Sequence, residues 1–229
     1  MKKTTIFTLL AIFLFIPLTL YMGSQMTGRA YYLTGTLIII EILIPFIFSF
    51  ESRKPQSREI VIIAVLCGLA TASRVIVPIP HFKPIFAVIM LSGIALGPQT
   101  GFLVGAISAF ASNFFVAQGP WTPWQMLAYG IAGLLAGFIV HTCKLPKKPF
   151  VLAVFGFVSV VAVVGVILDL CTVFTSLTTF RWSAVLLILG QGFPNNLMNG
   201  ACTALTLLLF TNPLLTILDR VKIKYGLWE

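Results

Sequence analysis

Charged residues are scarce in this sequence. Only 9% of its 229 residues are Asp, Glu, Lys or Arg, against about 25% in a typical soluble domain. Hydrophobic residues make up 59% of the chain, and the mean hydropathy is +1.03. Apolar runs of roughly 18 or more residues recur, each long enough for a helix to cross a hydrocarbon core about 30 Å thick. Because these runs are continuously apolar and do not alternate at period two, they predict an all-α membrane protein and exclude barrel strands.

Catalytic and metal-binding motifs are also missing. The chain has six acidic residues, two His and four Cys, and none of them falls in a CxxC, HExxH, GxSxG or ATP-binding-loop pattern. A membrane enzyme acting on a lipid or isoprenoid would need a cluster of carboxylates or histidines, and these residues are scattered. No basic stripe with interleaved aromatics indicates nucleic-acid binding. The sequence therefore predicts no catalytic residue, no metal and no cofactor bound by this chain.

Eight apolar segments predict about eight transmembrane helices, with the fourth short and turning tightly at Gly97-Pro98. They cover roughly 5–22, 32–50, 58–76, 84–96, 98–117, 124–142, 149–172 and 184–212. The first resembles a signal peptide but lacks a convincing cleavage site, so we expect an uncleaved anchor. The predicted organisation is an N-terminal two-helix hairpin (1–50), a cytoplasmic linker (51–57), a six-helix core (58–212) and a basic cytoplasmic tail (213–229).

The basic residues predict the orientation. Eight spans place both termini on one side, and the connectors on that side carry 11 of the 15 Lys and Arg residues. The other four are Arg29, Arg74, Lys83 and Arg181. Since cytoplasmic connectors are enriched in Lys and Arg, we expect a multi-pass protein of the cell membrane with both termini cytoplasmic.

The predicted exterior side carries aromatic and amide residues with little charge. The sequence SNFFVAQGPWTPWQ (112–125) combines Trp and Phe with one Asn and two Gln. Further along, GQGFPNNLMNG (190–200) supplies four amides, and Pro194 predicts a broken helix that brings them to the outer half. Amides inside a membrane either join helices or line a wet cavity, and four within nine residues favour the cavity. For Arg74 and Asp169, near outer helix ends, a mutual salt bridge and substrate contact are equal alternatives.

Two other features allow two interpretations each. Glu41 lies mid-span, either neutral and hydrogen-bonded to a neighbouring helix or carrying a coupling proton. Small residues recur every four positions at 64–72, 101–109 and 128–136, which lets helices approach closely. Such ladders serve packing within the bundle or docking of a second membrane protein.

Residues 58–212 resemble the substrate-binding S component of energy-coupling factor (ECF) vitamin importers. That family has a six-helix core with outer loops after the first, third and fifth helices, matched here by 75–84, 118–123 and 173–183. The stretches GPWTPWQMLAYGIAGLLAG and FPNNLMNG are similar to the cobalamin-type branch. The resemblance implies that the chain captures cobalamin or a related corrinoid from outside. It also implies docking on a membrane T component that carries two cytosolic ATPases, which use the ATP.

The resemblance and the residues together give the expected sites. Family members dock through an AxxxA face on the first core helix, which corresponds here to Ala64 and Gly68, with Ala72 one turn on. The expected substrate-binding residues are Arg74, His81, Phe82, Asn113, Phe114, Gln118, Trp121, Trp124, Gln125, Tyr129, Gln191, Asn195, Asn196 and Asn199. An S component for another vitamin, and a stand-alone proton-coupled carrier using Glu41, remain the alternatives.

Overall fold

Six helices form the bundle in the computed structural model, which describes residues 18–19, 37, 39–41, 43–44, 56–177 and 181–225. These residues contain no strand. The helices are α1 (Ser57–Ile76), α2 (Ile85–Leu96), α3 (Pro98–Val116), α4 (Thr122–Thr142), α5 (Pro149–Ser176) and α6 (Trp182–Tyr225). Apart from the few positions named, the predicted N-terminal hairpin and the linker 51–57 lie outside the described residues.

Five of these helices are long and apolar enough to cross a membrane: α1, α3, α4, α5 and α6. The sixth, α2, has 12 residues, and every one of them is buried. It corresponds to the short fourth segment predicted from the sequence. Its burial on all sides explains why its pattern is apolar all round. The chain is thus a multi-pass helical membrane protein.

Gly97 makes the tight turn between α2 and α3. Its backbone has φ 99° and ψ 162°, a combination that is essentially restricted to glycine. The Gly97 N–H bonds the carbonyl of Gly93 and so caps α2. Pro98 then starts α3 at a position where its missing N–H costs nothing. The two helices are therefore held side by side as the Gly-Pro pair predicts.

Glycines bring α2, α3 and α4 into backbone contact. A Cβ added at Gly133 of α4 would overlap the carbonyl of Gly101 on α3, and one added at Gly93 of α2 would overlap Gly133. Gly105 lies equally close to the carbonyl of Tyr129. The small-residue ladders of α3 and α4 therefore pack within this bundle.

The last two helices differ from the expectation. Helix α5 contains a π-helical stretch, Val160–Gly165. Helix α6 runs without interruption for 44 residues, with Pro194 and Pro213 inside it. The predicted break at Pro194 is therefore wrong, since α6 accommodates the missing donor without ending. The helix also continues to Tyr225, through most of the segment predicted as a tail.

The helices run up and down, so each end of the bundle collects particular termini. At one end, Arg58 of α1 lies over the ring of Tyr225 of α6, 5.5 Å from its centroid. At the same end, Nε2 of His141 lies 3.0 Å from the carbonyl oxygen of Ile94. The opposite end, which we call the Arg74 end, contains the ends of α1, α3 and α5 and the starts of α2, α4 and α6.

The described N-terminal residues pack on one side of this bundle. Ile39 and Leu43 join a cluster with Phe102 and Ala106 of α3, Trp124 of α4 and Cys171 of α5. Beside them, the Thr19 hydroxyl donates to Glu41 Oε1 at 2.6 Å. This hydrogen bond is what the structural alternative for Glu41 predicts, but Oε2 of Glu41 is buried without a partner among the described residues, so both alternatives stay open.

Candidate functional site

Arg74 is the centre of a polar network at the Arg74 end. Its Nη1 donates to the hydroxyl of Ser112 at 2.6 Å and to Oδ1 of Asn113 at 2.9 Å. Both acceptors lie in the last turn of α3 and are buried. The network ties the last turn of α1 to the last turn of α3. These are neutral partners for a positive charge.

Asn113 extends the network to α4. Its Nδ2 donates to the Thr122 hydroxyl at 3.1 Å, and that hydroxyl donates to Oε1 of Gln118 at 2.9 Å. Thr122 also accepts from the N–H of Gly119 at 3.2 Å. Gln118 in turn donates to the carbonyl of Phe110 at 3.3 Å. These hydrogen bonds connect the end of α3, the loop residues Gln118 and Gly119, and the start of α4, so they fix the loop between α3 and α4.

Tyr129 provides an aromatic surface under Arg74. The guanidinium lies 5.4 Å from the ring centroid of Tyr129. Phe86 of α2 meets the same ring edge-on, with 4.6 Å between centroids. Both rings are buried, so the Tyr129 ring is a fixed surface on which the guanidinium packs. Cation–π contacts of this kind contribute about 0.5–2 kcal/mol.

The salt bridge between Arg74 and Asp169 is not formed. Asp169 instead accepts a hydrogen bond from Nδ2 of Asn196 at 2.7 Å. Within the described ranges, neither Nε nor Nη2 of Arg74 has a hydrogen-bond partner. Part of the guanidinium therefore remains available to a ligand.

Gln125 brings an unsatisfied amide to the same region. It is half-buried, and its Oε1 is buried without a hydrogen-bond partner among the residues described. Residues three and four apart share a helix face. Gln125 therefore lies on the face of α4 that carries Thr122 and Tyr129, both linked to Arg74.

The remaining aromatic candidates divide into buried and exposed residues. Trp124 is buried and stacks on Phe174 of α5 with 5.3 Å between centroids. Trp121 is 39% exposed and Phe114 is 68% exposed. Phe114 contacts Phe110 edge-on at 5.1 Å, on the outside of α3. The structure does not bring these rings into one group with Tyr129.

The four amides of α6 are not on one face. Asn196 is buried against α5, whereas Gln191 and Asn195 are exposed and Asn199 is half-buried. Successive helical residues point about 100° apart, so Asn195 and Asn196 cannot share a direction. The four amides predicted to line a cavity therefore divide into two groups. Asn196 lies on one side of α6, and the other three are Gln191, Asn195 and Asn199.

The loop between α1 and α2 contributes a second cation. Lys83 is half-buried, and its Nζ donates to the carbonyl of Val77. His81 is exposed with φ 55°, a left-handed conformation uncommon outside glycine. Phe82 is half-buried. No contact on the described part of the chain joins His81 or Phe82 to the Arg74 network.

The expected docking face borders an apolar groove of about 700 Å³ between α1 and α3. Ala64, Gly68 and Ala72 line it from α1, with Leu103 and Ile107 from α3. A Cβ added at Gly68 would meet nothing within 4 Å. This ladder therefore stays open, in contrast to the ladders of α3 and α4. No group of three or more His, Cys, Asp or Glu residues that could hold a metal occurs in the described residues.

Sequence reasoning missed several contributors to this site. Ser112 and Thr122 connect Arg74 to the α3–α4 loop, and Phe86 and Phe174 hold the aromatic candidates. Ser and Thr in apolar helices commonly hydrogen-bond their own backbone, so the sequence pattern does not predict which of them bond a residue on another helix. One signal was present, because Ser112 and Asn113 form an adjacent polar pair at a helix end.

Comparison with known proteins gives a family match over most of the chain. The model for the S component of ECF-type riboflavin transporters matches residues 54–216. That range includes the whole Arg74 network and all of the first five helices. No solved structure matches the chain.

Curated relatives are similar over shorter stretches. A UPF0397 protein of Vibrio atlanticus is 32% identical over 112 residues, covering 43% of this chain and 61% of the relative. One from Aliivibrio fischeri is 31% identical over 118 residues, covering 44% and 64%. A UPF0397 protein of Lactococcus lactis is 33% identical over 110 residues, covering 44% and 56%. The chain thus spans less than two thirds of the length of these relatives.

Proposed function

The chain belongs to the family of ECF-type riboflavin transporter S components, and from this premise we propose that it is the substrate-binding membrane subunit of a vitamin importer. In this role it captures a vitamin at the Arg74 end and delivers it after docking on a membrane T component with two ATPases. The Arg74 end faces the exterior in the orientation that the basic residues favour. ATP is used by the partners.

The observation that carries the ligand site is the Arg74 network itself. A guanidinium, two hydroxyls and two amides form one network beside the aromatic rings of Tyr129 and Phe86. Binding sites for small molecules combine such apolar surfaces with a few placed polar groups. A membrane bundle held together by packing alone does not need this group of residues. Because both rings are buried, the groups left for a ligand are polar, and the arrangement supports a vitamin that presents a polar edge to Arg74.

Two vitamins are the ligands to compare. The family description names riboflavin, which has a flat ring system with a polar edge. Cobalamin, the ligand expected from the cobalamin-type resemblance, is supported by that resemblance alone, because the four amides of α6 do not lie on one face. The Arg74 network is compact and close to Tyr129, which favours a small flat ligand. Riboflavin is therefore the first ligand to test, with cobalamin second.

The open groove supports the docking role of α1. Small residues at 64, 68 and 72 leave room for another helix to approach closely. In the same bundle, the other glycine ladders are filled by neighbouring helices. Of the described N-terminal residues, Ile39 and Leu43 pack in a cluster with Phe102 and Trp124, which do not line this groove. We therefore assign the groove to the T component.

Calorimetry on the purified full chain tests the function. We expect submicromolar binding of one of the two vitamins without ATP, and co-purification with a T component and two ATPases when these are co-expressed. Absence of binding for both vitamins would remove the ligand assignment. If instead the chain supports uptake without the T component and ATPases, and Glu41→Gln abolishes that uptake, the stand-alone proton-coupled carrier replaces this proposal.

A further inference from the structure

Arg74 has no acidic partner among the described residues. The described acidic residues are Glu41, Glu59, Asp169 and Asp219, and none of them bonds Arg74. Glu59 lies 15 positions earlier on α1, which is about 22 Å along the axis. Asp169 already accepts from Asn196. Removing a cation from water without a counter-ion is costly, so an anion at this place would be bound favourably.

The edge of the guanidinium that carries Nε and Nη2 is suited to bind a planar anionic group. Nη1 carries two hydrogens, and these go to Ser112 and Asn113. The hydrogens of Nε and Nη2 point from one edge of the planar group, and no described residue accepts them. That edge matches the two oxygens of a carboxylate or phosphate and forms two parallel hydrogen bonds with them. Tyr129 and the two acceptors fix the plane, so the edge is already oriented.

Gln125 is an independent indication of a ligand at the same place. Its buried Oε1 lacks a donor in the described part of the structure, and such an acceptor costs about 1–3 kcal/mol. The residue lies between Thr122 and Tyr129 on α4, the two positions connected to Arg74. A ligand bound at the Nε–Nη2 edge of Arg74, which lies over Tyr129, would be placed to supply the missing donor.

We propose that the ligand carries an anionic group, a carboxylate or phosphate, which binds the Nε–Nη2 edge of Arg74, and a hydrogen-bond donor that Gln125 accepts. This inference rests on the proposed function and narrows its substrate to forms that carry a carboxylate or phosphate, so riboflavin 5′-phosphate is expected to bind more tightly than riboflavin itself. Ser112 and Asn113 are positioning residues for Arg74. Lipid phosphate is a second source of the same anion, because Arg74 lies near a helix end.

The experiment uses two ligand pairs that differ in an anionic group. Riboflavin is compared with riboflavin 5′-phosphate, which adds only the phosphate, and cobinamide with cobalamin, which adds a phosphodiester together with a ribose and a dimethylbenzimidazole; the flavin pair therefore isolates the anionic group. Affinities are measured by calorimetry on the full chain in maltoside detergent without phospholipid. The variants are Arg74→Gln, which removes the charge, and Arg74→Lys, which keeps the charge and removes the planar edge. Arg181→Gln is the matched control, since Arg181 is exposed at the same end and outside the network.

We expect the phosphate-bearing member of one pair to bind at least tenfold more tightly than the member without the phosphate. Arg74→Gln should abolish that preference, Arg74→Lys should reduce it, and Arg181→Gln should preserve it. Equal binding within each pair, or equal loss of both members in Arg74→Gln, overturns the anionic group and leaves the proposed function intact. Binding of neither pair overturns both. If phosphatidylglycerol binds the wild type but not Arg74→Gln, while vitamin affinities are unchanged, the anion is a lipid and the proposal fails.

Arg74→Gln also removes bonds to Ser112 and Asn113, so its folding must be checked separately. Thermal unfolding of each variant is followed in the same detergent. A variant that unfolds is replaced by Arg74→Lys, whose ammonium can still reach Ser112 or Asn113. A preference for the anionic ligand that is unchanged in folded Arg74→Lys would contradict binding through the planar edge.

Discussion

Asn196 donates a hydrogen bond to Asp169 between α6 and α5, at 2.7 Å, and a glycine lies opposite each of these two residues. Gly192 leaves the space that the Asp169 carboxylate occupies, and Gly165 leaves the space that the Asn196 amide occupies. Each helix therefore contributes one glycine and one polar residue, four positions apart. The π-helical stretch of α5 ends at Gly165. This reciprocal arrangement packs α6 against α5 on both sides of Pro194 in sequence, at Gly192 and at Asn196.

Replacing Gly192 with Ala should destabilise the protein. The new Cβ would overlap the Asp169 carboxylate, which must move away from Asn196, and overpacking of this kind costs about 1–3 kcal/mol. The readout is the thermal unfolding temperature in detergent. Gly190→Ala is the control, because its Cβ would meet nothing within 4 Å. That control should be neutral or slightly stabilising through helix propensity. Equal unfolding temperatures for the two variants would contradict the arrangement.

Gly133→Ala should be more damaging still. Its Cβ would overlap the carbonyl of Gly101, a backbone atom that cannot rotate away as a side chain does. Separation of α3 from α4 would also disturb the contact of Gly105 with Tyr129. We expect loss of the monodisperse peak in size-exclusion chromatography, with Gly68→Ala behaving as wild type. A well-folded Gly133→Ala protein would show that this helix crossing is looser than described.

The sequence was sufficient for the helices of the core but not for the directions of their side chains. Long apolar runs and Gly97-Pro98 predict six segments close to the observed bounds. The helix break predicted at Pro194 was wrong, because a bundle tolerates proline within a helix when neighbouring groups satisfy the backbone carbonyl that it frees. The faces of Asn195 and Asn196 follow from the 100° rotation per residue, yet their partners depend on how helices pack. The Arg74 network depends on contacts 38 and 39 residues apart, which no local pattern encodes.

Trp121 and Trp124 should behave differently when truncated to Ala. Trp124 is 7% exposed and stacks on Phe174, so removing it should cost about 3–5 kcal/mol of stability. Trp121 is 39% exposed and should have little effect on unfolding. Thermal unfolding and vitamin affinity are measured together for both variants. If Trp121→Ala weakens binding at unchanged stability, Trp121 belongs to the ligand site. If it changes neither quantity, Trp121 is an interfacial anchor.

Gly68→Leu should separate docking from ligand binding. A leucine at this open position fills the groove between α1 and α3 without overlapping the bundle. Co-purification with the T component and vitamin uptake should fall, whereas calorimetric affinity should stay unchanged. Gly190→Leu adds the same bulk at another open glycine, outside the groove, and should keep the partner. Full retention of the T component by Gly68→Leu would move the docking site elsewhere.

Gln125→Leu should raise the stability of the ligand-free protein and lower its affinity for the vitamin. Leucine is of similar size and removes the buried Oε1 that lacks a donor, a group whose desolvation costs about 1–3 kcal/mol. Gln118→Leu is the contrasting variant, because the Gln118 amide bonds both Thr122 and Phe110. It should lower stability. Thermal unfolding with and without vitamin distinguishes the two. A structural role for Gln125 predicts lower stability in both conditions, so opposite changes in stability and affinity would identify Gln125 as a residue kept for the ligand.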